Sequence, residues 1–203
     1  MVRKLRRLET NKIPVPHFQY DEFHNWLAKP HLNFAIEIGC GVGLHPILWA
    51  TKNPQSKILA IERTKNKFQK FLGRLTHHPH LQNIYAAHAD ASQLLPHLFD
   101  KPLVDAYYIL YPNPYPKTRQ KNLRVAYSPL SHFLVQTLKH GGTLTVATNL
   151  PWYAEELRIE IPLQHKLSLI EDHVLSTHSV ARSHFELKYL KRNDLCQNLV
   201  FRR

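Results

Sequence analysis

Apolar residues along this chain come in two rhythms. Short runs rich in β-branched and aromatic residues, NFAIEIG (33–39), KILAIE (57–62), NIYAAHA (83–89), VDAYYILY (104–111) and TLTVAT (143–148), predict strands. Between them LHPILWATK (44–52), TKNKFQKFLGRL (64–75), SQLLPHLF (92–99) and SPLSHFLVQTLKH (128–140) carry helical spacing, the last ended by Gly141 and Gly142. Strand–helix alternation of this kind predicts an α/β fold whose parallel sheet is covered on both faces. After Thr148 the rhythm changes. A helix around PWYAEELRIEI (151–161) precedes two extended stretches, LSLIEDHVL (167–175) and CQNLVFR (196–202), expected to pair antiparallel at the sheet edge with ARSHFELKYLKRN (181–193) between them.

Composition narrows this. With 203 residues and 43% hydrophobic content, the chain has enough apolar material for one core. A single domain over 13–203 is expected, preceded by a basic, mobile arm over 1–12 (MVRKLRRLETNK). A formal charge of +12 draws polyanions, nucleic acid first and anionic membrane second. Two cysteines are too few for a disulfide framework or a four-cysteine zinc site, and a reducing cytoplasm fits. Neither a secretory signal nor a membrane-length apolar run is visible, so a soluble, cytoplasmic protein is expected, without membrane association. HHPH (77–80) reads as a solvated loop, and no metal site is expected. Without an exposed apolar helix or heptad seam, a monomer is expected.

The first chemical signal is EIGCGVG (37–43), which follows a predicted strand and opens a helix. Gly39, Gly41 and Gly43 suit a tight turn that lets backbone approach a ligand. Glu37 stands two residues ahead of the first glycine, and its strand end is expected to aim it into the same crevice. Glu62 ends the second predicted strand, where an acid that grips ribose hydroxyls is expected in a Rossmann-like unit, and Asp90 follows the third. Three carboxylates at adjacent strand ends repel a pyrophosphate. They suit a cofactor with ribose hydroxyls, an adenine amine and an amino-acid tail, which favours S-adenosylmethionine over NAD. Read blandly, they are polar strand ends of the sort any α/β domain carries.

The fourth predicted strand runs off its end into YPNPYPKTRQKNLR (111–124). Prolines at 112, 114 and 116 fix their own φ and restrict the residues before them, so Asn113 and Tyr115 are expected in extended or turn conformations. A stiff loop suits a group that must meet a substrate in one geometry.

Taken together, EIGCGVG, AIE, HADA, YPNPYPKTRQKNLR and ATNLPWYAEEL resemble the tRNA (guanine-N7)-methyltransferase family over most of the chain. The resemblance implies a Rossmann-like class I methyltransferase, a mostly parallel sheet with antiparallel edge strands and helices on both faces. It implies S-adenosylmethionine as cofactor and tRNA as partner. It also implies that Glu37, Glu62 and Asp90 hold the cofactor, that Asn113 lies beside its reactive end as the catalytic residue, and that Lys117, Asn149, Ser183 and Glu186 face the nucleotide. The chain departs from the family pattern in having Asn113 and Asn149 where the family has aspartates, Tyr115 for tryptophan and Ser183 for threonine. Guanine N7 has a lone pair and no proton, so alignment and tolerance of a developing ring cation suffice. Asparagine accepts one hydrogen bond without supplying charge, which implies weakened or redirected activity.

Two alternatives stay open at this stage. NPY at a strand exit resembles the NPPY segment of amino-methyltransferases that act on adenine or cytosine. With two family carboxylates replaced, a non-catalytic RNA-binding relative is also consistent. Three basic clusters, Arg3/Lys4/Arg6/Arg7, Lys117/Arg119/Lys121/Arg124 and Lys188/Lys191/Arg192, are expected to contact phosphates. Arg63, Lys65, Lys67, Lys70 and Arg74 read as solvated surface spread around a helix. Cys40 reads as a packing residue, Trp152 as a candidate crevice residue, and His132 and His140 as members of a helix remote from the motif loops.

Overall fold

The computed structural model describes residues 7–175 and 179–203. Residues 1–6 of the expected arm, Arg3, Lys4 and Arg6 included, therefore lie outside the described residues. Among the described residues, seven strands form one sheet in the order β3-β2-β1-β4-β5-β7-β6. β1 (Phe34–Ile38), β2 (Lys57–Glu62), β3 (Ile84–His88), β4 (Val104–Leu110) and β5 (Leu138–Thr148) run parallel. β7 (Cys196–Arg202) is antiparallel to both β5 and the outer strand β6 (Ser168–Leu175).

Burial follows from this order. All of β2 is buried, because strands inside such a sheet are covered on both faces, whereas the edge strand β6 is mostly exposed. The period of two along β1 sends Phe34 and Ile36 into the main core and Ala35 into a smaller cluster on the opposite face. The main core packs against α1 (Tyr20–Ala28), α4 (Ala91–Leu98), α5 (Pro129–Thr137) and α6 (Pro151–His165), while α2 (Leu44–Lys52) and α3 (Lys65–Leu75) cover the other face.

Two elements differ from the sequence reading. α1 was not predicted; it is short, and its only buried residue, Phe23, joins an aromatic cluster with Phe18, Trp26 and Tyr85. Its last turn is capped from across the sheet, where the Lys57 ammonium donates to the carbonyls of Trp26, Leu27 and Lys29. The helix expected over 128–140 stops at Thr137, and Gly141 and Gly142 lie inside β5, as does His140. Fully buried Leu138 pairs with Val104, and the register shifts before Ala106 pairs with Thr143. Gly141 takes φ +78°, and a Cβ on Gly142 would lie 3.0 Å from the Asp105 carbonyl, so the glycines serve an irregularity in the strand.

Candidate functional site

The strand order reverses between β1 and β4. Open α/β sheets bind ligands at the carboxyl ends of the strands flanking such a point. A cavity of about 520 Å³ opens there, lined by Ile38 and Gly39 at the end of β1, Ile61 to Thr64 at the end of β2, Ala89 to Ala91 after β3, and Ile109 to Tyr115 at the end of β4 and beyond. Leu130 and Ser131 of α5 and Phe185 and Tyr189 of α7 (His184–Leu190) complete the wall.

Gly39, Gly41 and Gly43 all have positive φ. A Cβ on Gly39 or Gly41 would meet nothing within 4 Å, so the turn leaves open space above its backbone, while one on Gly43 would lie 1.8 Å from the Phe71 ring. Gly43 thus serves helix packing. The Glu62 carboxylate holds the turn, accepting from the Gly41 N–H at 2.9 Å and from the Thr64 N–H at 2.7 Å. Each of its oxygens keeps a second lone pair. Asp90 caps α4 with one oxygen, accepting from the Ser92 N–H at 2.9 Å and its hydroxyl at 2.6 Å, and its other oxygen lies 3.7 Å from Arg63.

Glu62 and Asp90 share this wall, but Glu37 does not line it. The alternation that buries Ile36 toward α4 turns Glu37 to the α2 face, where its carboxylate is 2.8 Å from Nδ1 of buried His45. Of the three glycines, Gly39 alone is among the lining residues. Burial, then the nearby Glu37 and Glu62 charges, pushes the Cys40 thiol well up, which fits packing and not nucleophilic work.

After β4 the chain turns sharply. Tyr111 still pairs with β5 through its N–H, donated to the Ala147 carbonyl at 2.8 Å, and then adopts φ +54°; Tyr115 adopts φ +45°. For bulky residues such backbone costs on the order of 1–3 kcal/mol apiece and persists only where neighbours hold it. The neighbours are identifiable. Asn113 Oδ1 accepts from the Tyr115 N–H at 3.2 Å, closing a small turn, and Nδ2 of Asn113 has no partner among the described residues. Arg124, expected as a phosphate contact, is buried: it donates to the Tyr115 carbonyl at 3.0 Å, the Pro116 carbonyl at 3.2 Å and Glu156 at 2.6 Å. Its guanidinium lies over Trp152, 5.0 Å from the ring centre, so Trp152 packs beneath this strut and does not line the cavity.

Tyr111 is held from the other side. Its hydroxyl donates to Glu186 at 2.8 Å, and Glu186, fully buried, also takes Arg182 at 2.7 Å. Burial alone raises the Glu186 pKa, but the hydrogen bonds and charge of Arg182, with Tyr111, outweigh it and hold the carboxyl below its ordinary range. Burial, then the Cys196 and Glu186 neighbours, pushes the Tyr111 phenol far up, so it stays a donor. Ser183 caps α7 by accepting from the Glu186 N–H at 3.1 Å. Thus Ser183 and Glu186 are engaged inside the fold, Asn149 donates to Asp194 at 3.1 Å, and Lys117 is exposed beyond the cavity wall. The cavity's aromatic side, Tyr111, Phe185 and Tyr189, went unread in the sequence. The i, i+4 spacing of Phe185 and Tyr189 in HFELKY was the available signal.

A doubly wound sheet with this crevice and an antiparallel final strand pair defines a Rossmann-like α/β protein of class I methyltransferase architecture. A methyltransferase family model, Methyltransf_4, matches residues 32–197, and the chain belongs to that family. It is 29% identical over 182 residues to a tRNA (guanine-N(7)-)-methyltransferase of Yersinia pestis (strain Pestoides F), spanning 88% of this chain and 76% of that protein. It is 28% identical over 145 residues to one from Corynebacterium efficiens, spanning 70% of this chain and 57%, little more than half, of the relative. The 16S rRNA methyltransferase KamB superposes with TM-score 0.70 at 17% identity, covering 92% of this chain and 94% of its own, a likeness of fold.

Proposed function

We propose that this chain transfers a methyl group from S-adenosylmethionine to N7 of a guanine in tRNA. The observation that carries the reading is one cavity wall bearing Glu62 and Asp90 on one side and the strut-held Asn113 on the other. The two tRNA methyltransferases described above support the choice of acceptor.

The residues fit the cofactor. The uncrowded glycine turn admits a ligand close to the backbone, and Glu62 and Asp90 offer spare lone pairs for ribose hydroxyls and an amine. Ile61 and Leu130 provide apolar surface for a purine. When bound, S-adenosylmethionine supplies an electrophilic methyl group. Everything else the reaction asks is position. The Tyr115 N–H fixes the orientation of the Asn113 amide, so Nδ2 is the group left to meet the acceptor. That N–H can donate to guanine O6, which leaves the N7 lone pair free to attack the methyl group. No base is needed, because N7 bears no proton. Asn113 is in this reading the catalytic residue, Lys117 and Asn149 flank the acceptor's path, and Glu186 with Ser183 acts through Tyr111. A monomer working in the cytoplasm, without a resident metal, completes the proposal.

The test is incubation of the chain with tRNA and methyl-labelled S-adenosylmethionine, followed by nucleoside analysis. Label in 7-methylguanosine is expected. Label in an N-methylated exocyclic amine, or none, would overturn the reading.

A further inference from the structure

The cations of α3 are not spread around its axis. Lys67, Lys70 and Arg74 stand at i, i+3 and i+7, one stripe of a helix, and Arg63 extends the same stripe from the turn before it. That stripe runs along the flank of α3 nearest α7: the Lys67 ammonium lies 5.3 Å from the Phe185 ring centre, and the Arg74 charge acts on His184. On α7, His184, Leu187, Lys188 and Lys191 with adjoining Arg192 line an open groove of about 370 Å³. Two basic stripes thus adjoin across one seam, and Arg63 and Lys67 also line the mouth of the large cavity.

Among these cations only Arg63 has an acidic partner among the described residues, Asp90 at 3.7 Å. α3 holds no acidic residue, and the acid of α7, Glu186, is fully buried and turned to Arg182. Lys67, Lys70, Arg74, Lys188, Lys191 and Arg192 form no ion pair among the described residues. Uncompensated like charges along adjacent helices repel one another, and a ligand bearing regularly spaced anions relieves that repulsion.

We propose that the α3–α7 seam is a docking track for the sugar-phosphate backbone of RNA, leading the acceptor strand to the cavity mouth. The proposal rests on the reading above for the kind of polyanion. Its experimental signature is independent of methyl transfer, because docking is measured as affinity in the absence of a methyl donor.

The experiment uses the full chain saturated with S-adenosylhomocysteine and an unmodified tRNA transcript, with affinity followed by fluorescence anisotropy from 50 to 200 mM salt. The variant Lys70→Gln/Arg74→Gln/Lys191→Gln removes three charges that do not line the large cavity. It is expected to bind tRNA at least tenfold more weakly at 100 mM salt. Its log affinity against log salt should be shallower by about 2–3, each lost phosphate contact contributing roughly 0.7–0.9. Affinity for S-adenosylhomocysteine should equal that of the wild type, which also reports folding. Should the triple variant misfold, Lys70→Gln and Lys191→Gln alone are each expected to reduce the slope by about one. Unchanged tRNA affinity and slope would overturn the track. So would charge-dependent binding to phosphatidylserine vesicles through these residues with none to RNA. Wild-type chain that binds tRNA by this track but methylates nothing would instead contradict the proposed function and leave the track standing.

Discussion

In the proposed reaction Asn113 carries the chemistry in one amide. Its oxygen closes the turn with Tyr115 and its nitrogen is left free, so truncation removes a structural contact and the proposed substrate contact together. Asn113→Ala is expected to lower kcat about a hundredfold, the scale of a misplaced reacting group, with little change in S-adenosylhomocysteine affinity. Asn113→Asp keeps the turn acceptor but replaces the free N–H donor with a charged oxygen facing guanine O6. It should lower guanine methylation about tenfold, equivalent to about 1.4 kcal/mol, and unchanged activity would mean that the amide serves another acceptor. On the opposite wall, Asp90→Ala removes both the proposed ligand acceptor and the cap of α4. Titration with S-adenosylhomocysteine should show at least tenfold weaker binding, accompanied by a stability loss of about 1 kcal/mol in denaturant unfolding.

At the scale of elements, the loop from Tyr111 to Arg124 is fixed by two ion pairs on different supports, each with at least one partner buried. Arg124 and Glu156 join it to α6, and Glu186 with Arg182 joins its first residue to α7. Arg124→Met leaves Glu156 buried without its partner, and unfolding should register a loss of about 3 kcal/mol. Below the unfolding range kcat should fall while cofactor affinity holds, because Glu62 and Asp90 are not attached to the strut. Arg124→Lys, which restores the charge but not the fork, should recover stability better than kcat. The second pair carries a pH signature. Since the folded carboxyl of Glu186 titrates below the ordinary glutamate value of about 4.3, its contribution is complete above that pH and disappears as pH falls through the lower folded value. Unfolding measured from pH 6 downward should show Glu186→Gln less stable than wild type by about 3 kcal/mol at pH 6, with that gap narrowing as pH falls below about 4.3. A gap that stays constant would show that the ion pair is not the source.

At the scale of the whole molecule, what the sequence disclosed were the local features. Runs such as KILAIE are strands because covered strands are mainly apolar between their ends, and CQNLVFR reads as extended and paired antiparallel with the stretch before it, although Gln197 and Asn198 are buried in it. What the sequence hid depends on partners distant along the chain. Arg124 is indistinguishable from its solvated neighbours until Glu156, Tyr115 and Trp152 close around it. Glu37 was assigned to the crevice from its place in a motif, whereas sheet alternation and His45 take it to the other face. Glycines 141 and 142 look like a helix stop because a strand irregularity has the same local composition. The α3 stripe was obscured by Lys65, which lies off its face. Fold class needs only periodicity, whereas a site needs the pairings.

The central claim is that a methyl donor held between Glu62 and Asp90 is presented to guanine N7 beside Asn113. Its most direct test is mass spectrometry of nucleosides from tRNA incubated with labelled S-adenosylmethionine and either the wild type or Asn113→Ala. The account predicts labelled 7-methylguanosine with the wild type and about a hundredfold slower formation with the variant. Label in another nucleoside, or equal rates for the two proteins, would contradict it.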